Sequence, residues 1–375
     1  NSKLGAVDKA ISEIALFADQ NSISQPTPIG SFTYQGKAPT IATYTALGLT
    51  GEAVTEDEVA AFNDALATKN VTYTSVDTKE EIQALVDAYR SVLKAADGTF
   101  TPNLEKLTLQ QFSLLGVTGL DITQEATPDI SSQVVAARVQ LLSDVIDRKS
   151  QQDVNTVLEL QALADIVIRV TNLAKGVDGL TREDLIQLGI QGVTTDNLAA
   201  VLQAISDTVN NGTEVDTYVE LQNLVVTPAV NRFTSALDLI QAYAKAKTNP
   251  AELGAAQEQP TAQTYLDLGI ANVSSDNVKS MNSALATASV TDQQVLTARD
   301  VQNIVNAYIQ ILAVADGNPN TGIINPNDYT LLGIDGVVGS EVKISLLSDV
   351  IDRKVSTAVD TADELQALAS MVAAI

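Results

Sequence analysis

Residues Thr78–Ala96 read TKEEIQALVDAYRSVLKAA. Ile82, Leu85, Val86, Tyr89, Val92, Leu93 and Ala96 recur every three or four positions. That period puts them on one stripe of an amphipathic helix. Thr78 stands three residues before Glu81, the spacing of a capping box. The hydroxyl accepts from the backbone at the third helical position, and the acid reaches back to the cap. The acid also favours the positive end of the helix dipole. Thr297–Ala315, TARDVQNIVNAYIQILAVA, has the same stripe through Val301, Ile304, Val305, Tyr308, Ile311, Leu312 and Ala315, with Asp300 in place of the glutamate.

The helix start recurs elsewhere. Thr156-Val-Leu-Glu159-Leu-Gln161, Thr217-Tyr-Val-Glu220-Leu-Gln222 and Thr361-Ala-Asp-Glu364-Leu-Gln366 complete a set of five with Thr78 and Thr297. Each copy follows a second motif, an aromatic or Leu, two residues, then Leu-Gly and an apolar residue. These are YTALGL, FSLLGV, LIQLGI, YLDLGI and YTLLGI, with their glycines at Gly48, Gly116, Gly189, Gly269 and Gly333. A glycine just past a helix supplies the left-handed residue that ends it, and the apolar residue behind packs back on the last turn. The missing Gly-x-Gly-x-x-Gly and Gly-Lys-Ser/Thr patterns argue against a phosphate-cradling role. A longer period overlies both motifs, because Leu141–Lys149 and Leu346–Lys354 are the same nonapeptide, LLSDVIDRK.

These spacings predict an all-α protein, an extended tandem array of small three-helix modules. Second helices are expected near Asp196–Val209 and Asp276–Ala288, and only Val71–Val76 reads as extended. Pro228 breaks the third helix of the third copy, so a kink or a new helix is expected there. The expected divisions are 1–39, a terminal helix of a preceding repeat plus linker; 40–98, the first repeat; 99–176, the second, with an insertion at Asp121–Ser132; 177–260, the third plus an extra helix and linker; 261–317, the fourth; and 318–375, a truncated fifth. Ser22–Pro39 and Thr248–Pro260 are the linker candidates. The chain reads as a window from a longer array.

Composition narrows the chemistry. The chain of 375 residues has no Cys, His or Trp, and a net charge of −24. Without Cys there are no disulfides or thiolates. Without His the commonest general base and metal ligand are missing. The acid excess argues against nucleic-acid partners, which need clustered Lys and Arg. No apolar run reaches the ~20 residues of a membrane span, so no membrane insertion is expected. Paired acids such as Glu80-Glu81 and Glu183-Asp184 read as solvated first turns of helices, not as opposed catalytic carboxylates.

The remaining metal candidate is a calcium loop. Asp316, Asn318 and Asn320 stand at its first three ligand positions. Thr321 replaces the glycine expected at position 6, and Asn327 the bidentate glutamate at position 12. Weak calcium binding is the most this pattern supports, and no other cofactor is expected.

The acidic, Cys-free chain with degenerate Thr/Leu-Gly units resembles the helical repeat regions of giant secreted bacterial surface and biofilm adhesins. That resemblance implies an extracellular or bacterial cell-surface place and a non-enzymatic structural role, as a self-assembling filament or matrix subunit or as an adhesin stalk. The expected partners are then copies of itself, met head-to-tail, or neighbouring repeats of one array. The alternative is a helical ligand-binding module that grips a partner protein, with repeated apolar positions exposed on one helix face.

Overall fold

A computed structural model describes residues 2–22, 34–100, 106–121, 128–248, 258–318 and 324–375. Both linker candidates fall largely outside these residues, and half of the insertion does. Among the described residues there are sixteen α-helices and no strand. The first eight are α1 (Ser2–Asn21), α2 (Ile41–Leu47), α3 (Glu56–Leu66), α4 (Lys79–Ala95), α5 (Leu109–Leu114), α6 (Pro128–Ile146), α7 (Val157–Leu173) and α8 (Arg182–Gln187). The others are α9 (Leu198–Ser206), α10 (Thr227–Thr248), α11 (Ala262–Asp267), α12 (Val278–Leu285), α13 (Ala298–Val314), α14 (Pro326–Leu331), α15 (Glu341–Asp352) and α16 (Ala362–Ala373).

The local chemistry explains these boundaries. The Thr78, Thr156, Thr297 and Thr361 hydroxyls accept from the N–H of Glu81, Glu159, Asp300 and Glu364, and each acid accepts from the cap N–H. Thr217 makes the same bond with Glu220 N–H at 3.1 Å. The helix it starts is π-wound over Glu220–Val226 and becomes α10, whose second residue is Pro228. Proline has no N–H to donate and is tolerated in a first α-turn. The second helices begin two residues later than expected, at Leu198 and Val278. Asn197 and Asn277 first accept from Thr194 N–H (2.7 Å) and Ser274 N–H (2.8 Å), folding the turn before α9 and α12. Val71–Val76 is not extended: it holds a 3-10 turn at Tyr73–Ser75.

We expect Thr297→Ala to cost about 1 kcal/mol, the usual worth of such a cap. Urea unfolding would show it as a lower midpoint with an unchanged slope. Thr297→Ser should recover most of the loss.

The helices divide into two compact units, Asn1–Gln191 with Ile205–Val225, and Gly192–Ala204 with Val226–Ile375. In the first, α1 packs on α2 and α3, α3 on α4 and α7, α4 on α5 and α6, and α7 on α6 and α8. Tyr44, Phe62 and Tyr89 run through its core edge to face, with ring centroids 5.5 and 6.3 Å apart. In the second, α10 packs on α11 and α12, α12 on α13 and α16, α13 on α14 and α15, and α15 on α16. Tyr265, Tyr308 and Tyr329 are fully buried there.

This packing overturns the extended array of separate three-helix modules. A module of this size buries too small a share of its surface to be more than marginally stable alone. The stripe of α4 therefore closes against α3, α5 and α6, which come from successive motifs, and α3 also closes against α7, which starts some 90 positions further on. Within each unit the helices share one core through long-range contacts. The recurrence in the sequence survives in caps and clamps, not in independent modules.

Candidate functional site

The five glycines singled out in the sequence all adopt left-handed backbone, with φ from 60 to 89°. Behind Gly116, Gly189, Gly269 and Gly333, the next residue donates its N–H to the first residue of the motif: Val117 to Phe112 O, Ile190 to Leu185 O, Ile270 to Tyr265 O and Ile334 to Tyr329 O, all at 2.9–3.0 Å. These bonds turn the buried aromatic or Leu inward and the loop outward.

The loop is then clamped by the last residue of the other motif. The amide oxygens of Gln83, Gln161, Gln222, Gln302 and Gln366 accept from the N–H of Thr50, Thr118, Gln191, Ala271 and Asp335, at 2.7–2.9 Å. Each donor lies two residues after the motif glycine. Four of the glutamines also return a bond to the carbonyl of the same residue, at 3.1–3.4 Å. The glutamine follows the glycine by 33–35 residues in four copies and by 45 in the copy at Gly116, and that recurrence is the sequence signal of the clamp.

A third device ties distant helices together. Asp64 on α3 accepts from Val157 N–H, the first residue of α7, at 2.6 Å. Asp144 on α6 accepts from Tyr218 N–H at 3.2 Å. Ser283 on α12 accepts from Ala362 N–H, the first residue of α16, at 2.7 Å. In each case a Thr-capped helix start presents one of its free N–H groups, and a second helix supplies the acceptor.

The richest side-chain chemistry lies around the lock at Asp144. Lys106 Nζ pairs with Asp144. The guanidinium of Arg148 is sandwiched between the rings of Phe100 and Tyr218, 4.1 Å from each centroid. Burial holds the Lys106 amine below its usual range; Asp147 opposes that shift and Arg148 adds to it. Gln140 donates to Asp216 at 3.2 Å. Burial and a hydrogen bond shared with Glu220 push the Asp216 carboxyl up to about 7.

Beside this cluster is a cleft of about 470 Å³ between α4 and α5, lined by Ser91, Lys94, Lys106, Thr108 and Gln111 among others. Its polar groups are largely engaged with their own neighbours. Ser91 donates to Asp87 O (2.8 Å), and Thr108 N–H donates to Gln111 Oε1 (2.8 Å). Gln111 N–H donates to Thr108 Oγ1 in turn (3.2 Å). The arrangement fixes the start of α5. It does not set an acid and a base across a substrate.

The calcium candidates are placed as follows. Asp316 Oδ1 accepts from Asn318 N–H at 2.7 Å, and the Asp316 backbone bridges to Val355. The carboxylate is thus folded onto its own turn. Asn320 lies outside the described residues. Among the described residues no three acidic side chains gather into a metal-holding group.

Asp64 makes the lock at α3 sensitive to pH. Burial raises its carboxyl to about 6, against the Val157 N–H bond and with help from the Glu159 charge. A folded-state pKa above the unfolded value of 3.8 means that the folded form binds more protons between about pH 4 and 6. Stability from this group is therefore present at low pH and lost as pH rises through 6. The full effect is about 3 kcal/mol, at ~1.4 kcal/mol per pH unit. Asp64→Asn keeps an acceptor and removes the charge. Its stability relative to wild type should climb from pH 4 to pH 6 and then level off. A pH-independent difference in urea midpoint would show that Asp64 titrates normally.

No family model, no curated protein and no solved structure matches the chain. The resemblance to giant surface adhesins thus finds no relative to support it. The shared cores of the two units remove its architectural basis, and with it the filament, matrix and stalk roles. The partner-gripping module falls for a related reason. The stripes that would have lined its exposed face are buried: Ile82, Leu85, Val86, Tyr89 and Val92 of α4 are at most 2% exposed.

Proposed function

We propose that the chain is a non-catalytic helical protein whose task is structural and which works in an extracellular setting or at a bacterial cell surface. The glutamine clamp carries this reading. The polar residues that recur most regularly, Thr, acid and Gln, are bonded to backbone at helix starts and loops, so the regular features of the sequence serve the architecture. The cysteine-free composition suits an oxidising environment, where stray thiols mispair. The charge of −24 keeps such a surface soluble and turns phosphate backbones away. No described helix is long and apolar enough to cross a membrane. Its partners, on this reading, are copies of the same chain.

Two measurements test it. Purified chain screened against pooled esters, phosphoesters, glycosides and peptides should give no turnover above buffer. Turnover abolished by Lys106→Ala or Asp144→Ala would overturn the structural reading. Antibodies against the chain should stain intact source cells or their medium. Recovery in the cytosol alone would overturn the proposed place.

A further inference from the structure

The nonapeptide LLSDVIDRK spans the C-terminal end of α6 and that of α15, and its two copies meet different surroundings. On α6 one outward face, Ala137, Gln140, Asp144 and Arg148, is covered by residues 211–221. Gly212 approaches Ala137 so closely that an added Cβ would lie 3.2 Å from the alanine methyl. Gln140 holds Asp216, Asp144 holds Tyr218 N–H, and Arg148 lies against the Tyr218 ring. The same face on α15 is Val342, Ser345, Asp349 and Arg353. Here it is open. Ala137 is 1% exposed and Val342 78%. The Asp144 side chain is 4% exposed and that of Asp349 54%. Among the described residues no ring lies against Arg353, which folds back on Asp349 at 3.1 Å.

The inner halves of the two copies behave alike. Ser143 accepts from Leu107 N–H at 3.0 Å, and Ser348 from Ile324 N–H at 3.2 Å. Helix register and orientation toward the core are therefore the same, and the difference is confined to the outward face. Helices α3 and α12 carry an acceptor for a helix start as well, and on both it is filled.

We propose that the outward face of α15, formed by Val342, Ser345, Asp349 and Arg353, is a docking surface for a Thr-capped helix start with an aromatic residue in its first turn. The occupant follows from the interface already formed on α6. Asp349 is placed to accept a free N–H at the positive end of a helix. Arg353, released from Asp349, is placed to stack on the aromatic ring. Val342 supplies the apolar contact that Ala137 makes with Gly212. The surface is a single helix face, distinct from the buried stripes.

The test uses the intact chain and a peptide of residues 211–226 extended at its C-terminus by two turns of Ala/Glu/Lys helix. Because the chain has no cysteine, Ser345→Cys can be labelled uniquely with an environment-sensitive dye. The dye should respond saturably to the peptide. Val342→Glu in the labelled chain, and Tyr218→Ala in the peptide, should each weaken binding at least tenfold. Thermal melts of both chain variants would show that the fold is kept, as befits substitutions at exposed positions. No response at millimolar peptide, or a response indifferent to Val342→Glu, would overturn the proposal. So would a dye response to unlabelled chain alone that Val342→Glu abolishes, since the occupant would then be a second copy.

Discussion

Gly116→Ala should cost about 3 kcal/mol or more, while Gly98→Ala should cost about 1 kcal/mol. Both glycines have left-handed backbone, with φ of +85° and +80°. That conformation alone penalises a Cβ by ~1–2 kcal/mol. The surroundings differ. A Cβ on Gly98 meets nothing within 4 Å, whereas on Gly116 it would lie 2.2 Å from Thr68 Oγ1 and 2.9 Å from Thr68 Cβ. Thr68 cannot easily yield. It is buried, and its hydroxyl donates to Ala65 O at 2.9 Å. Asn70 also grips the Gly116 carbonyl at 3.2 Å, so the loop is held against Thr68. Relief of such a clash by backbone shift adds ~1–3 kcal/mol. Urea unfolding of both variants decides the matter. Thr68→Ala should rescue part of the Gly116→Ala loss and none of the Gly98→Ala loss. Equal costs at the two glycines would mean that the loop moves freely away from α3.

Asn282→Ala should cost about 3 kcal/mol, a loss out of proportion to its small side chain. Asn282 is buried. Its Oδ1 accepts from the Tyr265 hydroxyl at 2.9 Å, and its Nδ2 donates to Pro260 O at 2.7 Å. Removing the amide strands a hydroxyl and a carbonyl together, each costing ~1–3 kcal/mol when no partner replaces it. Tyr265→Phe alone should cost less, because only the Asn282 oxygen is left without a donor. The double variant should lose less than the sum of the two, since they share one bond. The first unit contains the same network. Asn63 accepts from Tyr44 OH at 3.0 Å and donates to Pro39 O at 2.9 Å. Asn63→Ala should therefore behave like Asn282→Ala. A strictly additive cycle at both places would show that the tyrosine hydroxyls find other partners.

What could be read in the sequence was local. The stripe of α4, the cap at Thr78 and the turn at Gly189 each depend on residues three to five apart, and those distances are imposed by helix geometry. The network at Asn282 is different. A lone buried asparagine between Met281 and Ser283 announces nothing until α11 lies over it. The lock between Asp64 and Val157 joins residues far apart in the chain, and neither residue type is unusual. Such pairings depend on which helix packs on which, and an apolar stripe says only that a face is covered. For that reason five similar stripes suggested five similar modules, when the helices had closed around shared cores. The candidate site was legible to the same degree. The cap threonines and turn glycines stood out by spacing, the clamp glutamines stood beside them without a role, and the Phe100–Arg148–Tyr218 stack left no pattern at all.

The nonapeptide that occurs twice also means that identical words in one chain need not be equally readable to an enzyme. Trypsin cuts after Arg and Lys where the backbone can be drawn into its cleft. Arg353 and Lys354 are exposed just past the end of α15, whereas Arg148 is held between two rings and Lys149 donates to Gln187 O at 2.6 Å. A brief digestion of the folded chain should open the second copy and spare the first. The fragment ending at Arg353 or Lys354 would then report, from a single gel band, which copy of the sequence still has its cover.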